Sequence, residues 1–290
     1  MFIAIGYLVV LFSVFGGFVL SGGSLGPLWQ PTELLIIGGA GVGAFIAANN
    51  RKAMVGVLKS ASRLKRSTKY NKATYVELLV LLYTLLTKSK REGMKGVEND
   101  IEDPQNSPMF QKHPKIMADP MLLNFICDYM RMMVGGGNIN PHELDELMLH
   151  EIEELEHELS MSADALNKVA DAMPAFGIVA AVMGVVKALT VADASPQQMG
   201  EMIAHALVGT FLGILLAYGF FNPLATKIER QVAESEKALQ CIRMTILASL
   251  NGYQPQVAVE FGRKALHMDE RPTSLELEDI LRESKKTGTV

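Results

Sequence analysis

The chain has 290 residues, 49% hydrophobic and 20% charged, with a formal net charge of −4 and a mean hydropathy of +0.20. So mild a charge argues against nucleic acid or a polyanion as partner. The averages conceal apolar blocks almost free of charge and polar blocks dense in it, as in an all-α polytopic membrane protein with a large water-exposed part. The two cysteines, Cys127 and Cys241, lie far apart in polar blocks and read as free thiols facing a reducing compartment.

In chain order, Phe2 to Leu20 is uncharged, and the first charged residue is Glu33. Met1-Phe2-Ile3 lacks the positive start of a signal peptide, so the stretch predicts a first transmembrane helix. The turn SGGSLGPLWQP follows, with Trp29 suited to a membrane interface and Pro31 placed to open a helix. A second uncharged run, Leu34 to Asn50, is rich in glycine and alanine and predicts a second, closely packing span. These two helices make up residues 1–50. Arg51, Lys52, Lys59, Arg63, Lys65, Arg66 and Lys69 then come without an intervening acid, whereas Ser21–Thr32 and Thr190–Gly200 carry one charge between them, Asp193. The positive-inside rule therefore puts residues 51–170, and both termini, in the cytoplasm.

Within 51–170 the pattern is helical. Tyr75 to Leu86 predicts an amphipathic helix buried on one side. The segment KSKREGMKGVENDIEDP then turns from basic to acidic. Leu122 to Met133 predicts a helix stopped by Gly135-Gly136-Gly137, and Asn140-Pro141 with Glu143 opens the next. Eight acids between Glu143 and Glu158 make a solvated face opposite Leu144, Leu147, Ile152, Leu155 and Leu159. His150, Glu154 and His157 belong to that face rather than to a metal site.

Residues 171–223 predict a membrane hairpin of helices 3 and 4. No formal charge occurs between Glu201 and Lys227, or between Asp171 and Lys187. Ala180, Gly184 and Ala188 recur every four residues on one helix, and Gly209, Gly213 and Ala217 on the other, which favours close packing in lipid. Residues 224–290 predict a cytoplasmic helical tail. A long helix runs to about Leu250, NGYQPQ breaks it, and Thr273 with Glu276 caps a short helix through Leu281.

No P-loop, nucleophile elbow, metal-spaced cluster or nucleotide fingerprint is present, so no enzyme, catalytic residue, cofactor or metal is expected. Ion carriers place an ionisable side chain deep in the membrane. Here Glu33, Asp171, Asp193 and Glu201 all fall at helix ends, Lys187 and His205 lie towards the outer face, and Thr210 is the polar group at mid-depth. If the protein conducts ions, the titrating carboxylate comes from a partner helix. A non-conducting scaffold, with Thr210 bonded back to a carbonyl one turn earlier, stays open on this reading.

The stretch from Ala206 to Pro223, ALVGTFLGILLAYGFFNP, resembles the signature of the MotA family of flagellar motor stator proteins, in the MotA/TolQ/ExbB superfamily. MPAFGIVAAVMGVV, GFVLSGGSLGPLWQPTELLIIGGAGVGAF and NGYQPQVAVEFGRKAL resemble the same family, in order and over the whole chain. The resemblance implies a multi-pass inner-membrane stator subunit forming a proton channel with MotB, whose membrane aspartate carries the ion and which anchors the complex to peptidoglycan. It implies an assembly of five such chains around two MotB, with ion flow driving the rotor protein FliG. Lys90 and Glu98 match rotor-facing charges. Lys90 stands where close relatives carry arginine, so the adjacent Arg91 shares the role. Pro174 and Pro223 match hinge prolines. Sodium-type relatives carry a threonine at the place of Ala181. Ala181 offers no oxygen to a sodium ion, which leaves Thr210 and, along the same path, Tyr218, so the transported ion is expected to be H+. A sodium-driven stator and an ExbB- or TolQ-like energiser are the alternatives. The latter are three-helical, against four helices and a Lys90–Glu98 segment here.

Overall fold

Proline opens most of the helices. Pro31, Pro108, Pro114, Pro120, Pro141, Pro196 and Pro255 each occupy the first position of one, where the missing N–H would have no partner in any case. In the computed structural model the described residues are 2–63, 69–136, 139–191 and 195–286, the side chains at 59–63 and 285–286 excepted. Lys65, Arg66, Gly137 and Asp193 thus lie outside them, as do the side chains of Lys59 and Arg63. Regular structure among the described residues is helical throughout. The helices are α1 (Phe2–Leu20), α2 (Pro31–Ala48), α3 (Arg51–Arg63), α4 (Lys72–Glu92), α5 (Glu98–Glu102), α6 (Pro108–Gln111), α7 (Pro114–Met117), α8 (Pro120–Gly135), α9 (Pro141–Leu189), α10 (Pro196–Leu216), α11 (Asn222–Leu250), α12 (Pro255–Ala265) and α13 (Ser274–Lys286). Four stretches are long and apolar enough to cross a membrane: α1, Gly26–Ala48, and the apolar parts of α9 and of Pro196–Leu250. The protein is an all-helical, multi-pass membrane protein.

The chain folds into two compact units. One comprises Met1–Ser67 and His157–Arg230, the other Thr68–Glu156 and Gln231–Val290. In the first, Ile37, Val169, Met173, Ala180, Val208, Leu212 and Ala217 form the buried centre, flanked by Phe45, Phe176, Phe211 and Phe221. A second cluster gathers Ala163, Leu166, Ala225 and Ile228, and beside it Asn167 donates to Glu229 at 2.6 Å. Helix α1 buries none of its residues, and Trp29 is exposed, as suits surfaces facing lipid or its interface.

The second unit is built around α4. The sequence pattern predicts burial on one side only, yet every residue from Leu78 to Leu86 is buried. From Leu78 to Leu86 the run LLVLLYTLL carries no charge on any face, and such a stretch belongs at a centre rather than at a surface. Around it pack Phe110, Ile116, Leu122, Phe125, Ile126, Met130, Leu144, Met148, Ile152, Leu239, Ile242, Ile246, Val259, Leu277 and Leu281. Asn71 caps α4 by accepting from the Thr74 N–H, and buried Asp119 accepts from the Tyr70 hydroxyl at 2.6 Å while pairing with Lys69. Gly262 lets α12 cross α11 closely, since a Cβ there would lie 2.7 Å from the Cys241 carbonyl oxygen. Arg263 beside it is buried, bridging Glu260 and the Pro272 carbonyl. Thr273 and Glu276 form the expected capping pair, and α13 continues past Leu281 to Lys286.

Candidate functional site

The apolar parts of α9 and α10 meet along a seam of small residues. A Cβ on Gly177 would lie 2.7 Å from the Gly209 carbonyl oxygen and 3.2 Å from the Thr210 Cα. On Gly213 it would lie 2.6 Å from the Met173 carbonyl oxygen, and on Gly184 2.6 Å from the Ala206 Cβ. Contacts this short require glycine, so the two backbones touch as in other lipid-embedded pairs, where packing replaces the hydrophobic drive. The stripes Ala180–Gly184 and Gly209–Gly213 lie in this seam, and Gly177, outside the four-residue periodicity, completes it.

Ala181 and Thr210 both lie along this seam. A Cβ on Gly209 would lie 3.2 Å from the Ala181 nitrogen, and Thr210 is the next residue along α10. Ala181 is buried and Thr210 half-buried. Elsewhere the chain shows threonines bonding back one turn: Thr84 to the Val80 carbonyl and Thr245 to the Cys241 carbonyl, both at 2.8 Å. Thr210 makes no such bond among the described residues, which leaves its hydroxyl available to water or an ion.

Neither Pro174 nor Pro223 ends its helix. Pro174 lies within α9, where it removes the N–H that would reach the Ala170 carbonyl. Pro223 follows a π-helical turn, Ala217–Phe221, that links α10 to α11. Proline clashes with the carbonyl four residues earlier, and a widened turn relieves the clash without breaking the rod. The Tyr7 hydroxyl of α1 donates to the Phe220 carbonyl in that turn at 2.8 Å, its ring 4.9 Å from that of Phe220. Tyr218, also in the turn, is 61% exposed in the single chain.

In the other unit, Lys90 and Arg91 occupy the last turn of α4, and Glu98 the first turn of α5. Each sign suits its helix end, cations at the C-terminus and anions at the N-terminus. Gly93, at φ +80°, turns the chain between them through Met94–Val97, a conformation that favours glycine. All three side chains are exposed; the Lys90 Nζ donates to Gln254 at 2.6 Å, and Arg91 pairs with Glu92 at 2.8 Å.

Tyr7 escapes the sequence reading, and Glu33 enters it only as a carboxylate at a helix end. Tyr7 gives no signal in an apolar run, because its partner is 213 positions away. Glu33 gives one: it is the sole charge in residues 1–50. At the start of a helix an acid is ordinarily a solvated dipole partner, and nothing local distinguishes it. In the fold it is only 8% exposed.

The fold defines a multi-pass helical membrane protein. The family model for the motility protein A N-terminal region matches residues 4–93, and that for the MotA/TolQ/ExbB proton channel family matches residues 118–241. Motility protein A of Salmonella typhimurium is 54% identical over 282 residues, covering 97% of this chain and 95% of that protein. Motility protein A of Escherichia coli is 53% identical over 285 residues, covering 98% and 96%. The fold matches the flagellar MotAB stator complex from Bacillus subtilis at a TM-score of 0.72 with 25% identity, covering 97% of this chain and 98% of that one. The chain belongs to the motility protein A branch of the MotA/TolQ/ExbB proton channel family, a family of channels rather than of enzymes.

Proposed function

We propose that this chain is the channel-forming subunit of a flagellar stator, which works with MotB to convert proton flow into torque on the rotor protein FliG. The relation to motility protein A along nearly the whole chain carries this reading. Ala181 supports proton coupling, for it adds no oxygen beside Thr210 at the place where sodium-type relatives carry a threonine. A proton needs only water and a carboxylate, which the MotB aspartate supplies. The exposed charges Lys90, Arg91 and Glu98 suit a rotor-facing role, with residues 51–170 and 224–290 and both termini in the cytoplasm of an inner-membrane protein. Five copies around two MotB place each seam against a MotB helix in turn, and Pro174, Pro223 and Tyr218 border the part that moves.

The test is rotation of cells whose sole stator is this chain with its MotB. External sodium is varied at fixed pH, then the proton gradient is collapsed with a protonophore while sodium stays high. Speed that ignores sodium and falls to zero with the protonophore is expected. Speed that tracks sodium would overturn the reading of Ala181, and absence of rotation would overturn the stator reading.

A further inference from the structure

The α9–α10 seam holds a carboxyl group of this chain's own. Glu33, in the first turn of α2, is packed against glycines of both neighbouring helices. A Cβ on Gly209 would lie 2.7 Å from its Oε2, and a Cβ on Gly184 3.7 Å from its Oε1. Gly209 thus leaves room for the carboxyl, Gly184 lies at ordinary contact distance from it, and Oε2 is buried without a hydrogen-bond partner among the described residues. At 1.5 Å per residue, Gly209 stands about 20 Å along α10 from its first residue and Gly184 about 8 Å before the last residue of α9, while Glu33 itself lies in the first turn of α2. One turn before Glu33, Gln30 shares a hydrogen bond with Nδ1 of His205, itself one turn before Gly209 on α10. Two titratable groups are therefore stacked a turn apart, His205 outermost, then Glu33, with Thr210 beside Gly209. Of the other ionisable groups on these helices, Lys187 is exposed beyond Gly184, and Glu201 is exposed nearer the start of α10.

An ionisable side chain buried in a membrane unit without a partner is costly and marks an ion path. We propose that Glu33 is a proton-handling group of this chain: it takes up protons beside His205 and Gln30 and passes them along the seam toward Thr210. In the uptake step a carboxylate oxygen forms an O–H bond with a proton from hydronium or from the His205 imidazolium, leaving water or neutral imidazole. In the release step that O–H bond breaks and the proton passes to the next water in the seam, regenerating the carboxylate. No oxidant, reductant or bound group is needed. The proposal rests on the proton-conducting reading above and adds to it a relay carboxyl contributed by this chain rather than by MotB.

The test uses the full complex with MotB, comparing wild type with Glu33→Gln, which keeps size and packing, and Glu33→Asp, which keeps a titratable group. Rotation is measured at fixed load against external pH. Infrared difference spectra of the purified complex record the carboxylic C=O band that appears on acidification. The expected result is that Glu33→Gln slows rotation about a hundredfold or more, the low end of what a positioned proton-transfer group contributes. Glu33→Asp retains most of the speed, and part of the infrared band disappears in Glu33→Gln alone. Full speed in Glu33→Gln with an unchanged band overturns the proposal. So does equal slowing in Glu33→Gln and Glu33→Asp with an unchanged band, which would mark a packing role. Sodium-tracking rotation in wild type would instead sink the proton-driven reading, and the infrared comparison would still decide whether Glu33 titrates.

Discussion

Burial has chemical consequences for single side chains in the unit built around α4. His113, at the start of α7, is 5% exposed and neither ring nitrogen has a hydrogen-bond partner among the described residues. Burial pulls its pKa below the ordinary 6.5, with Glu77 opposing and Lys112 reinforcing the shift. The unfolded chain therefore binds a proton that the native state refuses, so this contribution to stability is fully present above pH 6.5 and is lost as pH falls through the folded value. The slope is at most about 1.4 kcal/mol per pH unit. Thermal denaturation of the detergent-solubilised protein between neutral and mildly acid pH should show this loss, and His113→Leu should flatten it. The thiols behave alike. Burial pushes Cys127 up to about 11, and fully buried Cys241 is pushed up too, so thiolate is scarce at neutral pH. Neither should react with iodoacetamide in the native protein, and both should react after denaturation, as mass spectrometry would record.

Among the helices, the α9–α10 seam and the π-helical turn are the features most open to perturbation. Gly213→Ala puts a methyl group 2.6 Å from the Met173 carbonyl oxygen and 2.9 Å from the Gly177 Cα. Both are backbone atoms, so the helices must separate, at a cost of about 1–3 kcal/mol for overpacking. The expected outcome is a lower melting temperature and slower rotation, whereas alanine at exposed Gly39, where nothing lies within 4 Å, should leave both unchanged. Tyr7→Phe keeps the ring contact with Phe220 and deletes only the bond to its carbonyl. A loss of about 1 kcal/mol is expected in the melting of the protein in membranes or detergent. A loss many times larger would mean that Tyr7 holds the whole π-helical turn in place.

Taken as a whole, the chain divides its hydrophobic residues between two kinds of burial. In the unit with α1, α2 and the apolar part of α9, many large side chains remain exposed, including Leu8, Phe12, Leu35, Ile178, Val182 and Leu207, as lipid-facing surfaces require. In the other unit the large apolar residues converge on α4, as in a water-soluble domain. Amides of residues 79–86 should therefore be among the last to exchange with deuterium, and those near the end of α13 among the first, when exchange is followed by mass spectrometry.

The four spans, the helical class, the capped starts at Asn140–Pro141 and Thr273–Glu276 and the small-residue stripes were legible from residue order alone. Each rests on local physics: an unbroken apolar run, a side chain that reaches a nearby N–H, or a repeat matched to the helical turn. The resemblance of whole segments supplied the family, which local physics could not. Tertiary structure decided the rest. It set α4 at a centre, because only packing shows which faces of an all-apolar helix are covered. It carried the chain through Pro174 inside α9 and past Pro223 after a π-helical turn, because packing against neighbouring helices can hold a helix together across a lost backbone bond. It also buried Glu33 against Gly184 and Gly209, because the neighbours that turn a helix-capping acid into a buried carboxyl stand more than 150 positions away along the chain.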